Sequence, residues 1–210
     1  MKNSNKSMKT EKQIMLHNLA ELLFAVFSIK YDDEFKKLLL SGGGGNSMFI
    51  NVWIKPSAHF VKMRISSQAK KILEKKGYTL DNLGENVPKS LIKNNAKGAA
   101  NRIKKGKRLH IDHNPGNVLV LELICDKVQK LKQAKGTKTE KIKKLEAFLK
   151  DIQYLDIITV EQDDIRTLAD NNYSKKDKDK MTLKQRDKLT SDKFECLPQE
   201  LSQKVIKRFI

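Results

Sequence analysis

Asn114-Pro115-Gly116-Asn117 is the point where this chain is least able to continue a regular element: proline locks φ and removes a donor, and glycine accepts positive φ. The backbone must turn there. Residues 108–112 before it read as a strand, and residues 118–124 after it read as either a returning strand or the start of a helix, since alternation does not decide between them. The ten residues from Arg108 to Asn117 hold two of the four histidines, an aspartate and two asparagines. Residues 97–108, leading into the turn, carry six positive charges and no negative one. Base-capable and metal-capable side chains at the end of a cationic segment are what phosphodiester cleavage requires.

The chain has 210 residues, long enough to bury a core, and its length suits one domain with room for a smaller appendage. Its 43 basic against 25 acidic side chains give a formal charge of +18, which favours a polyanionic partner, nucleic acid ahead of an anionic membrane surface. Partner class follows from this; chemistry does not. A lysine-rich composition also arises from an AT-rich genome. Cys125 and Cys196 are far apart and form no C-x-x-C pair, so a disulfide framework and a zinc ribbon are excluded, and a reducing, cytoplasmic setting is expected. Residues 14–29 are apolar, but His17, Asn18 and Glu21 interrupt them, and they fall short of the roughly 18 to 20 residues that span a bilayer. They read as a buried helix, and no membrane partner is expected.

An α+β fold is expected, helix-rich with short strands. Four segments organise it. Residues 1–45 form a helical segment, with a polar start and the glycine run Gly42 to Gly45 as a flexible joint that lacks phosphate-loop spacing. Residues 46–95 read as a small α/β region contacting DNA, with strands at 48–54 and 60–65 and a helix at 68–76 stopped by Gly77. Residues 96–172 hold the basic segment, a short helix at 96–107, the turn, helices at 126–133 and 138–151 around Gly136, a strand at 154–160 and a helix at 163–169. Residues 173–210 contain a lysine-rich linker or solvated helix, 174–193, and a terminal amphipathic helix, 199–209.

A strand ending in Asp-His, a tight turn, an asparagine, a return strand and then a helix resembles the HNH, or ββα-metal, endonuclease family. The resemblance covers about residues 102–131. It implies a small ββα-metal catalytic element in which His113 is the general base, Asn117 (or Asn114) its orienter, and Asp112 a ligand for Mg2+ or Mn2+. A second ligand falls to the following helix, where Asp126 ranks ahead of Gln129 because carboxylates bind magnesium better. His110 shares the strand face of Asp112 and is grouped with the candidate catalytic residues, a phosphate contact and a plain surface position both remaining open. Arg102, Lys104, Lys105, Lys107 and Arg108 are the expected grip on flanking phosphates. The chain departs from the family in a gap of only three residues between histidine and loop asparagine, in having no histidine or asparagine in the following helix, and in lacking bracing cysteine pairs.

The residue chemistry supports that role independently of the family, because an imidazole titrating near neutrality is suited to activating water and an adjacent carboxylate supplies a hard ligand. Competing readings are weaker. His110-Ile111-Asp112-His113 matches half of the H-x-H-x-D-H motif of metallo-β-lactamase-like hydrolases, but Arg108 replaces the first histidine. Val120 to Ile124 offers Glu122 to a PD-(D/E)-x-K site but isoleucine where lysine is needed. Cys125 sits in an apolar run and reads as core, and His17 and His59 read as non-catalytic. The expectation is therefore a metal-dependent endonuclease of DNA, of restriction type by resemblance and a homodimer on the same ground. The alternative is a non-catalytic basic nucleic-acid-binding protein in which residues 112–117 are only a turn.

Overall fold

The computed structural model describes residues 10–29, 32–40, 53, 60–92, 108–114, 116–176 and 183–209. The chain divides into two compact units, one from Met1–Phe60 with Leu121–Lys150 and the other from Val61–Val120 with Asp151–Ile210. In chain order the described elements are α1 (Glu11–Ser28), α2 (Asp33–Leu40), β1 (Lys62–Ser66), α3 (Ser67–Lys75), a 3-10 turn (Leu80–Gly84), α4 (Lys89–Ile92) and β2 (Leu109–Asn114). There follow α5 (Asn117–Gln133), α6 (Lys138–Leu149), β3 (Tyr154–Thr159), α7 (Val160–Lys176), α8 (Leu183–Leu189), β4 (Phe194–Cys196) and α9 (Gln199–Phe209). The α+β class is as expected.

The first unit is helical. Thr10 caps α1 in a reciprocal box with Gln13, and Leu16, Leu19, Ala20, Leu23 and Phe27 recur at helical spacing to give one buried stripe. Thr137 and Glu140 cap α6 in the same way, and its Ile142, Leu145 and Leu149 are buried as α6 lies against α1. His17, expected to be structural, hydrogen-bonds Glu146 through Nδ1 across this pair.

A four-stranded mixed sheet of order β2-β3-β1-β4 organises the second unit. β1 and β3 are parallel, while β2 runs antiparallel to β3 and β4 antiparallel to β1. Local chemistry ends the strands where helices must begin. Ser66 closes β1 and its hydroxyl accepts from the Ala69 N–H to cap α3; Thr159 closes β3 and exchanges hydrogen bonds with Gln162 to open α7. Asp112 pairs with Asp156 and Asp156 with Arg64, so these three charges share one sheet face, while Ile111, Ile157 and Ile65 share the other.

Several expectations change. Residues 118–124 continue α5, so the turn joins a strand directly to a helix and no returning strand or ββα element forms among the described residues. The sheet also cuts across the expected segmentation, drawing β1, β2, β3 and β4 from three of the four segments. β4 lies just past the expected linker, and α8 lies within it. The expected strand at 48–54 apart from the buried Trp53, the glycine joint, the helix at 96–107 and most of the polar N-terminus lie outside the described residues. Among the described residues no helix is long and apolar enough to cross a membrane.

Candidate metal centre and its arginine network

Strand alternation decides the fate of the Asp112-His113 pair. Consecutive strand residues point to opposite faces, so Asp112 turns toward α7 and α8, whereas His113 turns to the face of Leu155, its partner on β3. They do not converge on one ion. Burial is the main influence on His113 and pushes its imidazole below the ordinary value; Asp112 raises it and His110 lowers it by lesser amounts. The other expected members are dispersed as well. Asn117 is the first residue of α5. Asn114, the second-choice orienter, is fully buried and donates from Nδ2 to Asp156 at 2.8 Å and to Asp187 at 3.0 Å, so it serves carboxylates instead of an imidazole.

Asp126 is exposed on the part of α5 that belongs to the first unit, and Gln129 on the same stretch donates to the Phe27 carbonyl at 2.6 Å. Arg108 precedes β2, where its N–H bonds Leu91 and its carbonyl accepts from Val160. Arg102, Lys104, Lys105 and Lys107 lie outside the described residues.

His110 and Asp112, two apart on β2, do share a face, and Asp163 on the first turn of α7 meets them there. One donor atom from each lies within 4.8 Å of the other two, and His110 Nε2 stands 3.5 Å from Asp163 Oδ1. This is a candidate cation site built from one imidazole nitrogen and two carboxylate oxygens. Such a mixed set fits Mn2+ better than Mg2+, which favours oxygen alone.

A denser feature surrounds it. Asp156, with no exposed surface, accepts from Arg64 Nε and Nη2 at 2.8 Å each, from Arg166 Nη1 at 2.9 Å and from Asn114. Arg64 also grips Asp187 with bonds of 2.9 and 3.0 Å, and its guanidinium lies between the rings of Tyr154 and Phe194 at 4.6 and 4.7 Å. Burial opposes the charge on Arg64, but its hydrogen bonds to Asp156 and Asp187 and their negative charges outweigh that and hold it above its ordinary value. Arg166, fully buried, reaches Asp112 Oδ2 at 3.1 Å, and Arg186 reaches the same oxygen at 2.7 Å. Three arginines thus balance Asp112, Asp156 and Asp187, which is how buried charges become tolerable.

Part of this was detectable. Asp156 interrupts an apolar strand, and a lone charge in such a run signals a buried partner, whereas Arg64 shares its short strand with Lys62. Asp163, Arg166, Arg186 and Asp187 carry no such mark, because their roles depend on which helix packs over which sheet face. No protein-family model matches the chain, and neither curated proteins nor solved structures match it.

Proposed function

We propose that the chain is a metal-dependent nucleic-acid endonuclease whose cation is held by His110, Asp112 and Asp163. The observation that carries this reading is the convergence of those three donors within 4.8 Å on a polar sheet face. The formal charge of +18 supplies affinity for a phosphodiester backbone, with DNA the substrate expected from the resemblance. A bound divalent ion in such a site polarises a phosphoryl oxygen and lowers the pKa of coordinated water. Arg166 fixes the Asp112 carboxylate, so that ligand is oriented in advance. His113, on the far face, has no part in this arrangement.

Plasmid cleavage with Mn2+ or Mg2+ tests the reading. Asp163→Asn and His110→Ala should each abolish cleavage and leave salt-dependent DNA binding intact, while His113→Ala should still cut. Loss of cleavage in His113→Ala with retention in Asp163→Asn would restore the HNH assignment. The non-catalytic reading is favoured by one observation, the two arginine bonds on Asp112, and wild-type protein that binds DNA but never cuts with either ion would establish it.

A further inference from the structure

α8 is anchored by charge. Among its described side chains Lys184, Gln185, Lys188 and Leu189 are exposed, whereas Arg186 is buried and Asp187 turns into the network. Arg186 bonds Asp112, and Asp187 accepts from Arg64, Asn114 and Arg166. An element attached this way has little apolar burial to hold it, and its attachment depends on which charges the sheet presents.

We infer that Arg186 is an internal competitor for the cation site, its guanidinium occupying Asp112 in the cation-free state and leaving when a divalent ion binds. The inference rests on the metal-centre reading and adds its regulation. Both hydrogen bonds on Asp112 fall on Oδ2, and the closer, at 2.7 Å, comes from Arg186. A dication entering at Asp112 beside that guanidinium meets a like charge on the same carboxylate, so the two cations oppose one another. Arg166 bonds Asp156 and Asp187 as well as Asp112 and sits on α7 with Asp163, which makes it part of the frame. Arg186 rides on a seven-residue helix that Asp187 ties to Arg64, Asn114 and Arg166, so its release is a movement of its own guanidinium away from Asp112. By reciprocity, whatever draws Arg186 off Asp112 tightens cation binding, and cation binding loosens Arg186. A nucleic-acid phosphate is the natural alternative partner for the released guanidinium, since the planar fork matches phosphate as well as carboxylate.

The test is Mn2+ affinity of the full chain without nucleic acid, read from loss of the free-Mn2+ electron paramagnetic resonance signal. Arg186→Gln is expected to bind Mn2+ about tenfold more tightly than wild type, the size of a typical coupling between opposed ligands. If Arg186→Gln fails to fold by circular dichroism, Arg186→Lys takes its place; it lacks the planar fork and is expected to tighten binding by a few fold. Unchanged or weaker affinity in the folded variant, with Asp163→Asn still weakening Mn2+ binding, overturns the competitor role and leaves the metal centre standing. No Mn2+ uptake by wild type or by the variant overturns both.

Discussion

Asp156 is the residue on which the second unit most depends. Four donors from three side chains converge on its carboxylate, and two of those side chains are arginines with little or no exposed surface. Asp156→Ala removes the one carboxylate both guanidiniums share and leaves two carboxylates for three arginines, a loss on the order of the 3–5 kcal/mol that a buried pair costs when one partner goes. Urea denaturation measures it directly. The exposed pair Lys62–Asp151, at 2.6 Å, is the control, and Asp151→Ala should cost under about 1 kcal/mol. His113 carries the pH signature. Its folded-state value lies below the unfolded one, so the unfolded chain binds the proton more readily. Stability is then full above the ordinary histidine value and declines as pH falls through it, levelling off below the folded value. In EDTA, the unfolding free energy of His113→Gln should fall less than that of wild type between about pH 7 and 5. An equal fall in both would show that burial of His113 does not govern this window.

Caps are the most local determinants at the scale of elements. Thr10 with Gln13, Thr137 with Glu140 and Thr159 with Gln162 all place a hydroxyl three residues before a side chain that reaches back, so each helix start is written locally. Thr137→Ala should lower stability by about 1 kcal/mol, measured by thermal or urea unfolding. The turn at 114–117 shows the opposite case. Its need to change direction was evident, yet Asn117 opening a helix instead of a returning strand was not, because residues 118–124 are apolar enough for either. That one outcome separates the chain from the strand-turn-strand-helix order that the HNH resemblance implies. β4, only three residues long, has too short a pattern to stand out beside a lysine-rich stretch.

Taken as a whole, the molecule combines a large positive charge with a polar sheet face whose charges are mutually compensated. Nucleic-acid affinity should therefore be dominated by counterion release. For about six or more phosphate contacts it should fall on the order of a thousandfold between 50 and 200 mM salt, as a filter-binding or anisotropy titration would show. A flat salt response would remove the reason for expecting a polyanionic partner. Amino-acid order by itself determined the class, the amphipathic helices and the caps, since these depend on spacings of a few residues and on composition. The site belongs to the tertiary structure. Its members come from β1, β2, β3, α7 and α8, and the strand register brings Arg64, Asp112 and Asp156 to one face while sending His113 to the other. No local pattern encodes such a meeting, because it is settled by which strands pair and which helices cover them, a choice made by burying the largest apolar area without stranding a charge.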